Sequence, residues 1–271
     1  METFRLHHGS TPLLISLPHD GSEIPASLAA AMVERARVAP DTDWHMSRLY
    51  DFALAMGASM IVPRFSRYVV DLNRPPDDAL LYPGLNTTGL CPIVQFSGEP
   101  IYLPGREPSP SEVDRRVEAY WQPYHQALAD EVLRLRELHG RVLLWEGHSI
   151  RAQVPFLFKG RLPDLNLGTA VGASCLPQTQ QRIESTLSGQ SNYSWVSNGR
   201  FKGGYITRHH GRPQAGVEAV QLELAQLNYM DEDSFRYDEA RAASLQPVLQ
   251  SLLEAAMDQA GKSPAQAGLS A

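Results

Sequence analysis

The stretch Arg141-Val142-Leu143-Leu144-Trp145-Glu146-Gly147-His148-Ser149 sets the fold class, because a short apolar run breaks off at an acid and a histidine. An apolar run of this length reads as a buried strand, being too short for a core helix. Residues 13–17 repeat the pattern nearer the amino terminus, where Leu13-Leu14-Ile15-Ser16-Leu17 leads into Pro18-His19-Asp20-Gly21. Residues 59–62, 67–72, 165–170, 193–196 and 217–224 read as further strands. Helical patterns lie between them at 24–37, 44–56 and 178–187. A closing helix carries Leu245, Val248, Leu249, Leu252, Leu253, Ala256 and Met257 on one stripe. Short strands alternating with longer helices predict an α/β domain in which helices cover a sheet.

Two segments punctuate this pattern. Ser109-Pro110-Ser111-Glu112 has the form of a capping box with proline at the first helical position, and opens a helix running to Gly140 that Pro123 should kink. Residues 73–108 are rich in proline and glycine and are expected to be an irregular excursion; so long a loop in a compact domain is usually functional. There is no internal repeat or linker. Residues 1–262 therefore read as a single domain, with 263–271 as a flexible tail.

Composition excludes several classes. The chain has 271 residues, 43% hydrophobic and 20% charged, which is ordinary for a globular protein. Its 24 Lys and Arg against 30 Asp and Glu leave a net charge of −6, so no global basic field holds nucleic acid or an anionic membrane. The apolar runs fall well short of the about 20 residues that a membrane helix needs. The first residues lack the basic region and apolar stretch of a signal peptide, and the chain is expected to be unprocessed and cytoplasmic. Cys91 and Cys175 have neither metal-site nor redox spacing and read as reduced thiols.

Open α/β sheets bind ligands at the carboxyl ends of their strands, and four such ends here are chemically loaded. His19 and His148 follow two apolar runs at equivalent positions. A lone histidine there is more often structural, but a pair on neighbouring strands suits one metal ion. A catalytic zinc commonly takes three protein ligands, often including a carboxylate. Asp41 and Asp43, in Asp41-Thr42-Asp43-Trp44-His45, and Glu23 are the nearby acids, and spacing does not choose between them. Arg67 and Arg74 bracket Arg67-Tyr68-Val69-Val70-Asp71-Leu72-Asn73-Arg74, and arginine grips carboxylates bidentately. In Val220-Gln221-Leu222-Glu223 the polar residues share one face, and Glu223 there suits a general base. Arg208 belongs to a glycine-rich, basic loop over 199–211 that lacks the phosphate-loop pattern and could close on an anion.

These motifs together resemble the N-formylglutamate amidohydrolases. The resemblance rests on Pro18-His19-Asp20-Gly21, the Asp41–Asp43 segment, Tyr68 to Pro75, Gly147-His148-Ser149, Leu162 to Gly168, Phe201 to Arg208 and Gln221-Leu222-Glu223, in this order over roughly residues 10–260. It implies a single three-layer α/β/α domain with a mixed central sheet, similar to zinc carboxypeptidases and aspartoacylase. It also implies hydrolysis of N-formyl-L-glutamate to formate and L-glutamate, the closing step of a histidine-degradation route. Carried over residue by residue, the resemblance makes His19, Asp43 and His148 ligands of Zn2+ or another divalent metal. Asn73 and Arg74 would hold a substrate carboxylate, Arg208 a second one, Arg67 would sit at the scissile carbonyl, and Glu223 would be the general base.

The sequence departs from the family pattern at Asp20, where serine is expected, and at Glu146, where aspartate is usual; the second bears on how His148 is oriented. The expected partner is a small molecule bearing carboxylates. The nearer rival is a related zinc hydrolase for another N-acyl amino acid or a short peptide. The more distant one is a non-catalytic protein that binds acidic amino acids.

Overall fold

Side chains alternate across a strand, and in this protein that alternation sorts each central strand into two differently covered faces. The computed structural model describes residues 2–80 and 87–260. Among them seven strands form one sheet: β1 (Phe4–His7), β2 (Leu13–Ser16), β3 (Ser59–Pro63), β4 (Val142–Ile150), β5 (Leu165–Gly168), β6 (Trp195–Ser197) and β7 (Val217–Ala225). Their order is β1-β3-β2-β4-β7-β5-β6. The β3-β2-β4-β7 centre is parallel, β1 runs antiparallel on β3, and β5 runs antiparallel on β7. The mixed α/β/α architecture expected from the sequence is what the chain adopts.

The helices are α1 (Ala26–Ala29), α2 (Met46–Leu49), α3 (Phe52–Ala55), α4 (Pro110–Arg116), α5 (Gln122–His139), α6 (Pro177–Ser188), α7 (Tyr205–His210) and α8 (Glu239–Ala260). Leu13, Ile15, Leu143, Trp145, Val220, Leu222 and Leu224 pack on one face with Leu49, Ala53, Ile183, Leu245 and Leu252, so α2, α3, α6 and α8 form one layer. Leu14, Val142, Leu144, Val217 and Ala219 pack on the other with Trp121, Leu128, Leu135 and Ile206, from α5, α7 and the turn before α5. At about 25 cal/mol per Å² of apolar surface removed from water, these two layers are the main stabilising term. A two-residue hairpin pair, β8 (Met230–Asp231) and β9 (Arg236–Tyr237), follows β7.

Several local expectations are corrected. The helix expected over 24–37 breaks after α1, because Met32 bridges Tyr102 and the Val33 N–H donates to the Ile101 carbonyl. Residues 44–56 form two short helices instead of one. Residues 67–72 are a buried irregular segment and not a strand: their polar groups bond outward, Asp71 N–H to Leu90 O, and Val69 O from Arg116 Nη1. The strand read over 141–145 continues through Glu146 and His148 to Ile150. The edge strand β1 was not anticipated, since its alternation is only half-buried.

The N-cap half of the capping box forms, with Ser109 Oγ accepting the Glu112 N–H at 3.3 Å, while the Glu112 carboxylate pairs with Arg115 and Arg116. Pro123 is accommodated by a single π turn over Val117–Trp121, in which the Gln122 N–H bonds Val117 O, five residues back. Gly140 closes α5 in the left-handed region at φ 74°. The excursion holds only isolated bridges in its described part; its residues 81–86, and the tail expected over 263–271, lie outside the described residues. Among the described residues no helix is long and apolar enough to cross a membrane.

Candidate active site

The face of β4 and β7 that turns toward α5 changes character along its length. In the first half it carries Val142 and Leu144 beside Val217 and Ala219; in the second half it carries Glu146 and His148 beside Gln221 and Glu223. The parallel register pairs Glu146 with Gln221 and His148 with Glu223. Carboxyl ends of neighbouring parallel strands thus gather polar groups where the sequence placed them. Gly147 between them leaves room for Leu17, whose terminal methyl a Cβ would approach to 2.7 Å.

His19 leaves the end of β2, and its carbonyl accepts the Asp43 N–H at 3.0 Å, which brings the 41–43 loop to the histidines. Donor atoms of His19, Asp43 and His148 all lie within 4.8 Å of one another, and all three residues are buried. Nδ1 of each histidine faces Asp43 Oδ2, at 3.0 Å for His148 and 3.7 Å for His19. The Nε2 atoms are held from behind, His19 by Asp71 at 2.7 Å and His148 by Glu146 at 2.6 Å. A carboxylate behind a ligating histidine fixes its tautomer and raises its basicity, so the arrangement is one that could hold a metal ion.

Two features test whether a cation fits. Asp43 Oδ1 is buried without a hydrogen-bond partner, an acceptor left over once Oδ2 has bonded His148 and the Ser149 N–H. The electrostatics also demand positive charge at this place. Burial opposes ionisation of Asp43, but hydrogen bonds from His148 and His19 outweigh it and hold its carboxyl well below the usual range. Burial likewise opposes a charge on His148, but Asp43 and Glu146 hold its pKa well above the usual histidine value. Two histidines and a carboxylate are the donor set of a catalytic zinc, and the residues fit it. Of the other acids open from spacing, Glu23 pairs with Arg64 at the surface and Asp41 accepts the Tyr68 hydroxyl and the Phe96 N–H, so neither joins the cluster.

Glu223 is 6% exposed, and burial, with Asp43 adding to it and His148 opposing, pushes its carboxyl up to about 8. Arg67 is clamped by Asp71 at 2.6 Å, lies over the Phe96 ring at 4.7 Å, and has a buried Nε with no hydrogen-bond partner. Asn73 and Arg74 follow at the cavity wall. The cavity, of about 100 Å³, is lined by His19, Asp43, His148, Glu223, Arg67, Asn73, Arg74 and Arg200, with an apolar side of Phe96, Ile150, Leu157 and Phe201. Seven of the eight residues expected in the site line this one cavity.

Arg208 does not. It sits on α7 with Nε donating to Gly203 O at 2.8 Å, and Arg200 from the same basic loop lines the cavity instead. Periodicity could not separate the two arginines, because helix α7 begins inside a stretch that reads as loop. Asp71, Phe96 and Thr207 were not singled out in the sequence, whereas Glu146 was, as the residue that bears on how His148 is oriented. Asp71 had a signal in its place between two arginines and before Asn73, whose N–H it accepts at 2.9 Å. His45 lies in the left-handed region at φ 64°, and its Nε2 bonds the Phe235 carbonyl at 2.8 Å, so it anchors the β8–β9 hairpin.

The N-formylglutamate amidohydrolase family model matches residues 11–230. An N-formylglutamate deformylase of Pseudomonas aeruginosa is 51% identical over 254 residues, covering 93% of this chain and 95% of that one. Another, of Pseudomonas putida, is 51% identical over 250 residues, covering 92% and 93%. The crystal structure of N-formylglutamate amidohydrolase from Ralstonia eutropha JMP134 aligns with a TM-score of 0.78 at 27% identity, over 96% of this chain and 97% of that one. Fold and matches together define an amidohydrolase on a mixed α/β sheet. The chain belongs to the N-formylglutamate amidohydrolase family.

Proposed function

We propose that the protein hydrolyses N-formyl-L-glutamate to formate and L-glutamate. The observation that carries this reading is one cavity holding a His-Asp-His cluster, a buried glutamate and three arginines, in a chain 51% identical to N-formylglutamate deformylases. His19, Asp43 and His148 would hold a divalent metal, zinc by its donor set. When bound, such an ion supplies Lewis acidity, polarising the formyl carbonyl and acidifying a water.

The remaining steps fall to the chain's own residues. Glu223 takes a proton from the attacking water as its oxygen bonds the formyl carbon. Arg67 Nε donates to the oxyanion that develops there. Glu223 then passes the proton to the departing α-amine as the C–N bond breaks, which leaves formate and glutamate and restores the base. Asn73 and Arg74 hold one substrate carboxylate, and Arg200, in place of Arg208, reaches the other. The same reading places the reaction at the close of histidine breakdown, in the cytoplasm.

The test is formate release from N-formyl-L-glutamate by the protein as isolated, after chelation, and after zinc is restored. Release lost on chelation and regained with zinc is expected; release unaffected by chelation removes the metal from the scheme. The apolar side of the cavity favours one second reading, a hydrolase for N-acyl amino acids with larger apolar groups. A panel varying the acyl and side-chain groups decides it, and the proposed function requires formylglutamate to give the highest kcat/KM.

A further inference from the structure

Helix α7 begins against the site, and its first N–H groups are taken by residues there: the Tyr205 N–H by the Asn73 carbonyl at 3.3 Å, and those of Gly204, Ile206 and Thr207 by side chains. Gln221 Oε1 accepts the Gly204 N–H at 2.7 Å, Asn73 Oδ1 the Ile206 N–H at 2.9 Å, and Glu146 Oε2 the Thr207 N–H at 2.9 Å. The Thr207 hydroxyl donates to that same Glu146 oxygen. The contact is close along its whole length, since a Cβ on Gly204 would fall 2.2 Å from Asn73 Nδ2.

Glu146 is fully buried, and both of its oxygens are used as acceptors. Oε1 faces His148 Nε2 at 2.6 Å and receives the Asn73 amide N–H; Oε2 receives both donors of Thr207. An aspartate would be one methylene shorter and could not be expected to span from β4 to α7 while still holding His148. The pair Glu146 and Thr207 thus connects His148 and Asn73 to a helix none of whose residues, Tyr205 to His210, lines the cavity.

We propose that Thr207 is a positioning residue: through Glu146 it fixes the ring of His148 and the amide of Asn73, and so sets metal affinity and substrate affinity together. The inference rests on the proposed function for the roles of His148 and Asn73. A carboxylate held at one oxygen by two donors cannot rotate, and its other oxygen is then fixed on the histidine.

The test compares Thr207→Ser with Thr207→Ala. Both remove the γ-methyl group, so only the hydroxyl distinguishes them. Zinc affinity is read by competition with a chromophoric chelator on the substrate-free protein, and KM and kcat by formate release. The expected result is zinc binding about tenfold weaker and KM raised several-fold in Thr207→Ala, with Thr207→Ser close to wild type in both. Glu146→Gln, which must set an NH2 against a donor at one end or the other, should weaken zinc at least as much. Equal zinc affinity and KM in the Ser and Ala variants overturns the proposal alone. A wild-type chain that takes up no zinc overturns the metal reading, and this proposal with it. If Thr207→Ala fails to fold, the same comparison between Thr207→Ser and Thr207→Cys, which swaps the strong donor for a weak one, decides between the outcomes.

Discussion

Two clusters of buried charge sit at opposite ends of the same pair of strands, and they are built differently. At the amino ends of β4 and β7, Arg141 Nη2 meets Glu218 at 2.9 Å, and the other Glu218 oxygen accepts the Leu176 N–H at the start of α6. Charge there is matched one to one. At the carboxyl ends, Asp71 is shared by His19 and Arg67, and His148 by Asp43 and Glu146, with Glu223 buried beside them, so charge there is shared among several groups and not matched in pairs. A matched buried pair locks elements together; a mismatched cluster is stable only when something else completes it. The two ends thus differ in whether buried charge is paired or shared.

The sharpest break is chemical. Glu223→Gln should lower kcat by about 10³-fold, the usual worth of a general base, while bound metal stays at the wild-type level. Metal analysis beside formate release checks both halves, and undiminished turnover would take Glu223 out of the mechanism. At the other end, Arg141→Met strands Glu218 in the core and should cost about 3 kcal/mol of unfolding free energy, leaving kcat unchanged once folded. Adding Glu218→Gln, which keeps the Leu176 contact, should recover most of that loss in a urea titration. A fall in kcat of the folded single variant would mean that the two ends are coupled.

The smallest effect is one of pH. Burial pushes the His125 imidazole down to about 3, with its bond to the Leu72 carbonyl opposing and His210 and His209 adding to the shift. The unfolded chain therefore binds a proton that the folded chain refuses between those values. Stability from this group is complete above about pH 6.5 and falls as pH drops toward 3, by about 1.4 kcal/mol per unit. His125→Gln keeps an N–H for Leu72, and its stability should fall less than that of wild type between pH 6.5 and 5.

The central strands were legible because apolar runs ending in polar residues have few other readings. His19 and His148 were legible for the same reason, each standing at the end of an apolar run, whereas spacing left Asp43 open beside Asp41 and Glu23, and only the family resemblance chose it. The end of β4 was misread because polarity at Glu146 looks like exposure, whereas here it is burial against other polar groups. Residues 67–72 were misread because β-branched apolar residues suit any buried extended segment, and only partners far away in sequence show that no strand pairs with this one. Arg200 and Arg208 could not be told apart, since their difference arises from where α7 starts, and that is fixed by Gln221, Asn73 and Glu146.

The π turn at Val117–Trp121 has a consequence for helical phase. Arg116 Nη1 bonds Val69 O, Trp121 Nε1 bonds Arg74 O, and His125 Nε2 bonds Leu72 O, so three side chains of one continuous helical stretch grip the segment that carries Asn73. Their spacings are five and then four. Four residues return to the same side of an α-helix, but five overshoot it by about 140°. The wide turn absorbs that overshoot, so the added residue brings Arg116 and Trp121 into phase on the same segment. Losing one residue between 117 and 120 would therefore close the wide turn to an ordinary α-helical one and keep both halves of the grip on the same side, whereas gaining one would swing one half off the chain that it holds.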